Sequence, residues 1–320
     1  MTLKAIIEIC EQHKNQKSKS SSVSKKQKFL INEKILDKLV NILKPLKELE
    51  SIVGLGNVKQ CILEHVIYMA QELNSETDMS HIQIVGEPGG GKTTLAAILG
   101  HIYAGLGFLE HGNVVYVTRA DLIGEHLGST SIKTEEMLNT CRGNVMFIDE
   151  VYSFGCRDKK DSFSKECLDC INQFLSTYRQ DILCIIAGYE EDIEECIFSV
   201  NKGLKRRFPF KYIIPTYTIE ELKRIFISQV HINKWHINER ESMLKTIFNE
   251  QNKHLFKSSG GDTEILFVRC KMAHSSRLFL DNTNKCKKKK LNGLDLQRGF
   301  DMLLTLKPIK TNTHHSMMYI

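Results

Sequence analysis

Five short runs of apolar and β-branched residues mark the middle of the chain: IQIVG (82–86), VVYVT (114–118), VMFID (145–149), ILCIIA (182–187) and FKYII (210–214). Runs of this length between polar segments predict strands, and their near-continuous apolar character predicts strands covered on both faces. The stretches between them repeat their apolar positions at helical spacing. Strand–helix alternation of this kind predicts an α/β fold with a five-stranded parallel, doubly wound sheet.

The flanks read differently. FLINEKILDKLVNILKP carries a helical stripe that should stop near Pro45. Ahead of it, residues 15–28 (NQKSKSSSVSKKQK) are polar and Ser/Lys-rich, the composition of a flexible linker. After Pro215, TIEELKRIFISQV opens with Thr218 and Glu221 at capping-box spacing. From there to about residue 306 the pattern is helical only. The expected organisation is an N-terminal helical segment (1–45), an α/β domain (46–215), a small α-helical domain (216–308) and a flexible tail (309–320).

Composition changes little in this picture. Hydrophobic residues make up 42% of the 320 and charged residues 26%, the balance of a globular chain. No apolar span is long enough for a transmembrane helix, and the start lacks the core and cleavage site of a signal peptide, so a cytoplasmic protein with no membrane partner is expected. The ten cysteines should then be reduced. Cys167 and Cys170 form a CxxC, but no second pair stands at zinc-site spacing, and Leu168, Ile171, Phe174 and Leu175 around them keep helical periodicity.

The chemistry begins at GEPGGGKTT, which follows the first strand and opens a helix. Gly86, Gly91, Lys92 and Thr93 satisfy the phosphate-loop pattern GxxxxGK[ST] in its proper strand–helix context. Gly86, Glu87, Pro88, Gly89, Gly90, Gly91, Lys92, Thr93 and Thr94 are the nucleotide-binding candidates. Glycines let the loop turn its amides toward anionic oxygens, and the helix N-terminus adds positive potential. Lys92 should reach the β and γ phosphates of ATP, and Thr93 should ligate Mg²⁺. Downstream, NVMFIDE ends a strand in two carboxylates. Asp149 is placed to hold Mg²⁺ and Glu150 to deprotonate the attacking water.

With both motifs placed, the chain from about Leu49 to Leu280 resembles the AAA+ ATPases, most of all the CbbX/CfxQ branch, whose best-known members are rubisco-activating remodelling ATPases. IVGLGNVKQCI (52–62) is similar to the family's opening segment, which implies that Val53 and Gly54 line an adenine pocket. VTRADLIGEHLGSTSIKT (117–134) resembles the central-pore segment, with His126, Leu127 and Gly128 at the gripping triplet. IIAGYEEDIEECI (185–197) resembles the first-sensor strand and sets Tyr189 at the sensor. NKGLKRRF (201–208) resembles the arginine-finger segment, with Arg207 matching the finger and Arg206 beside it. The resemblance implies a homo-oligomeric ring, a hexamer, that remodels a protein substrate.

Three departures qualify the match. Glycine and tyrosine stand where the first sensor is usually a small polar residue. Glu264 stands where the branch carries its second-sensor arginine, so either Arg269 or Arg277 substitutes or the α-helical lid domain senses nucleotide weakly. His126 replaces an aromatic in the pore triplet and offers less gripping area. Two alternatives follow. One is a nucleic-acid-handling ATPase, motivated by the run Lys285 to Lys290, by Lys159–Lys160 and by the net charge of +6, though no aromatic-interleaved basic patch accompanies them. The other is a nucleotide-dependent scaffold with little turnover.

Overall fold

The computed structural model describes residues 1–18, 32–75, 77–126, 128–154, 162–238, 241–280 and 289–306. The chain divides into two compact units, Met1–Thr216 and Tyr217–Ile320.

The first unit begins with four helices: α1 (Leu3–Ser18), α2 (Glu33–Asn41), α3 (Leu43–Ser51) and α4 (Gly56–Ala70). Then come β1 (Ile82–Val85), α5 (Lys92–Gly105), β2 (Val114–Val117), α6 (Arg119–Leu122), α7 (Ser129–Thr140) and β3 (Val145–Ile148). It closes with α8 (Ser162–Thr177), β4 (Leu183–Gly188), α9 (Glu190–Ile193), α10 (Lys202–Lys205) and β5 (Phe210–Ile213). The five strands are all parallel, in the order β2-β3-β4-β1-β5. Each strand falls within a residue of its apolar run.

Strand burial follows position in the sheet. β3 and β4, in the interior, are buried almost throughout. The edge strands β2 and β5 leave Tyr116 and Ile213 exposed, because an edge strand is covered less completely than a central one. Alternation along β3 and β4 separates two cores. Met146, Ile148, Cys184 and Ile186 pack with Leu138, Leu168 and Ile171 from α7 and α8. On the opposite face α5 presses so closely that a Cβ on Gly100 would meet Val145 Cγ2 at 2.7 Å. Parallel strands need helical crossovers, and these crossovers cover both faces.

Two expectations near the N-terminus change. Residues 15–18 continue α1 rather than starting a linker, since Asn-Gln-Lys-Ser contains no glycine or proline to stop it; 19–28 lie outside the described residues. Pro45 ends no helix. It sits in the first turn of α3, where a missing N–H costs no intrahelical bond, so α3 runs across the expected boundary at residue 45.

The second unit contains α11 (Ile219–Ile232), α12 (Glu241–Ile247), α13 (Ser259–Leu280) and α14 (Gly293–Leu306). Its capping box is present: Thr218 Oγ1 accepts from the Glu221 N–H at 3.3 Å, and Glu221 Oε2 accepts from the Thr218 N–H at 2.8 Å. Phe226, Phe248 and Phe267 fill its core. It is not purely helical. β6 (His236–Ile237) pairs in parallel with β7 (Lys290–Leu291), two-residue strands too short to leave a periodic signature. Lys290 of the basic run lies in β7; Lys285 to Lys288, Lys159–Lys160 and the tail 309–320 lie outside the described residues.

Candidate active site

The loop between β1 and α5 is shaped by glycine. Gly89 and Gly91 have φ of 70° and 93°, in the left-handed region that side chains disfavour. A Cβ on Gly86 would lie 2.9 Å from Ile214 Cβ, and one on Gly90 would lie 3.1 Å from the Glu87 carbonyl oxygen. The Gly86 N–H donates to Gly188 O at 3.1 Å, tying the loop to the end of β4. Lys92 is buried, with Nζ donating to the carbonyls of Gly86 (3.1 Å) and Glu87 (3.2 Å). Thr93 and Thr94 begin α5 with their side chains exposed. A tight loop of this form, opening a helix and holding one buried ammonium, suits the phosphates of a nucleotide.

Asp149 and Glu150 follow β3 directly. Asp149 Oδ1 accepts from the Glu150 N–H at 2.9 Å. Glu150 is exposed and has φ of 54°, an uncommon conformation for a residue with a Cβ. The Glu150 carboxylate pushes the Tyr152 phenol above its ordinary pKa. Among the described residues no three His, Cys, Asp or Glu side chains cluster as a metal cage.

Tyr189 follows β4, caps α9 and donates its hydroxyl to Glu87 Oε2 at 2.9 Å. The first-sensor candidate is thus joined to the phosphate loop through an acid that the sequence pattern treats as a variable position.

Arg206 and Arg207 follow the short α10, Arg206 as its C-cap, and differ in exposure. Arg207 is half-buried, with Nε and Nη2 donating to Ser176 Oγ of α8 at 3.0 and 2.8 Å, while Arg206 is exposed. Asn201 Oδ1 fixes the start of α10 by accepting from the Gly203 and Leu204 N–H groups.

Val53 and Gly54 form a half-buried turn before α4, in which Gly54 and Leu55 both have positive φ. Lys59 Nζ donates to the Glu50 and Ile52 carbonyls and supports that turn. His126 is exposed, its N–H bonded to Ser129 Oγ, and Gly128 caps α7; Leu127 lies outside the described residues. In the second unit Glu264 is exposed. Arg277 is committed to the buried Asp295 by two bonds of 2.8 and 2.9 Å, whereas Arg269 Nη1 lies 3.7 Å from Met272 Sδ. Cys167 and Cys170 sit within α8, and burial raises both thiols, Cys167 to about 12, as befits packing rather than redox groups.

Residues 82–216 match the family model of the ATPase family associated with various cellular activities (AAA). A cfxQ-like protein of Acanthamoeba polyphaga mimivirus is 36% identical over 286 residues, covering 89% of this chain and 70% of that one. The chain belongs to the CbbX/CfxQ-like AAA+ ATPases. CbbX of Cereibacter sphaeroides is 30% identical over 243 residues, 73% of this chain and 78% of its own. Among solved structures, the FIGL-1 AAA domain in complex with ADP superposes with a TM-score of 0.55 at 16% identity, covering 79% of this chain and 83% of that one, a likeness of fold. Membership makes this AAA+ chain a nucleotide-binding enzyme that hydrolyses ATP. No helix among the described residues is long and apolar enough to cross a membrane.

Proposed function

We propose that this AAA+ chain is a Mg²⁺-dependent remodelling ATPase that works as a homo-hexameric ring on a protein partner. What supports the reading is that the glycine-shaped loop holding Lys92 follows β1 and the Asp149–Glu150 pair follows β3, at the carboxyl ends of two strands of one parallel sheet with β4 between them. Lys92 binds the β and γ phosphates. Thr93 and Asp149 hold the metal, and Glu150 accepts the proton of the attacking water. Val53 and Gly54 line the base.

The trans arginine is drawn from the Arg206–Arg207 pair. Exposure of Arg206 favours it as the residue offered to a neighbour, with Arg207 anchoring the turn through Ser176. A guanidinium delivered from the next subunit offsets charge on the transferring phosphoryl group and makes hydrolysis depend on assembly. His126, Leu127 and Gly128 would touch the polypeptide in the pore.

Family members generally form oligomeric rings, so subunit-to-subunit completion of the site is consistent with the fold. The test is to measure ATP turnover with added protein, DNA or RNA at two salt concentrations, and to capture partners on Glu150→Gln with ATP. Stimulation by nucleic acid with a steep salt dependence would replace the protein-remodelling reading with the nucleic-acid one.

A further inference from the structure

The phosphate loop contains one acid, Glu87, and its carboxylate is not free. Oε2 accepts from the Tyr189 hydroxyl at 2.9 Å, while the backbone carbonyl of the same residue accepts from Lys92 Nζ at 3.2 Å. Glu87 therefore touches the lysine that meets the phosphates and also the phenol at the sensor position. The loop and β4 are already in register through the Gly86–Gly188 backbone bond, so the pair spans a short, preset gap. Glu190, the next residue, is held by Lys211 of β5 at 2.5 Å, and Glu87 is the acid hydrogen-bonded to the phenol; the charge of Asp192 of α9 acts on it as well.

We propose that Glu87 and the terminal phosphate of ATP are alternative acceptors for the Tyr189 hydroxyl, making Glu87 a positioning residue that sets the preference for ATP over ADP. This rests on the phosphate-loop reading given above. A phenol can donate one hydrogen bond at a time. A carboxylate acceptor makes that bond a strong one, and a second anion must outcompete it. ADP lacks the group that competes, so its affinity should be insensitive to the bond. Glu87 also places negative charge beside an anionic ligand, a Coulombic effect that does not need Tyr189. Separation of the two requires both residues to be varied.

The experiment is a double-mutant cycle on the full chain with Glu87→Gln, Tyr189→Phe and the double variant. Binding is followed with a non-hydrolysable fluorescent ATP analogue and its ADP counterpart. Glu87→Gln should tighten the ATP analogue about tenfold, the scale of one charge-assisted bond, and ADP less than about twofold. In the Tyr189→Phe background the gain on the ATP analogue should shrink to less than about threefold. Equal gains in both backgrounds, or no gain, would overturn the proposal, since a purely Coulombic acid acts the same with or without the phenol.

An ultraviolet titration of tyrosine without nucleotide supplies the second readout. Glu87→Gln should move one phenol to lower pH, and the shift should be absent when Tyr189 is Phe; an unchanged titration also overturns the proposal. Lys92→Ala serves as the separate control. Undiminished binding of both nucleotides by that variant would sink the phosphate-loop reading itself, whatever the cycle shows.

Discussion

Arg207 and Ser176 are joined by two hydrogen bonds, Nε and Nη2 of the guanidinium both reaching the serine hydroxyl from residues 31 apart in sequence. The neighbouring Arg206 has its side chain exposed. Two adjacent arginines thus hold different posts, and the roles can be separated. Arg206→Ala should cut hydrolysis by the assembled protein about 10³-fold and leave the melting temperature unchanged. Arg207→Ala should lower stability by about 1–3 kcal/mol, since it removes both hydrogen bonds to Ser176 Oγ, which keeps only its own bond to the Asn172 carbonyl, and loosens the turn after α10 against α8. Turnover against protein concentration, paired with thermal unfolding, reads both effects. A stable but inactive Arg207→Ala would return the finger to Arg207.

Lys92 and Glu150 should fail in different ways. Lys92→Ala removes the buried ammonium of the phosphate loop, and nucleotide binding should be lost. Glu150→Gln keeps the loop and removes the base, so affinity should stay within about twofold while turnover falls by about 10² or more. Isothermal titration and phosphate release on the same preparations distinguish them. Normal turnover in Glu150→Gln would remove the carboxylate from the mechanism.

Glu150 is held at φ of 54°, so its backbone carries strain that a glycine would not feel. Glu150→Gly should raise unfolding stability by about 1 kcal/mol relative to Glu150→Ala while hydrolysis stays abolished. Denaturant unfolding of the two variants measures the difference. If glycine proves the less stable of the two, the conformation is not strained.

Acid should destabilise the first unit through two buried imidazoles. His65 is stacked on Phe210 with Nδ1 2.7 Å from the Tyr212 hydroxyl, and burial lowers its pKa to about 4. His81 is fully buried and accepts the Cys184 N–H at Nδ1; burial likewise lowers it to about 4. Both are neutral in the folded protein and titrate near 6.5 when unfolded. Between those values the unfolded chain binds more protons, so stability is full above about pH 6.5 and declines as pH falls toward 4. Chemical unfolding at pH 7, 6 and 5 should show this slope, and His65→Asn should flatten it. A slope unchanged in that variant would leave His65 without a part in it.

The readable part of this protein is local. The interior strands β3, β4 and β1 announced themselves because an interior parallel strand is apolar on both faces, β2 and β5 showed through their β-branched and aromatic runs, and the candidate phosphate loop was legible because its glycines, lysine and threonine stand within one short stretch of chain. The candidate acids Asp149 and Glu150 are local in the same way, standing where an apolar strand stops. The same reasoning misplaced Pro45, because the tolerance of a first helical turn for proline depends on where the helix starts. It missed β6 and β7, whose two-residue pairing is defined only by a partner far along the chain.

Everything that hangs on direction came from the tertiary structure. Helical spacing cannot tell which of Arg206 and Arg207 meets α8, or that Arg277 is spent on Asp295. No sequence rule joins Glu87 to Tyr189 across 102 residues; the parallel pairing of β1 with β4 does so, by bringing the ends of both strands to the same rim. Backbone preference and burial act residue by residue and so are written in the order of the chain. Hydrogen bonds between side chains need two partners at about 3 Å, and that distance exists only once the sheet has assembled.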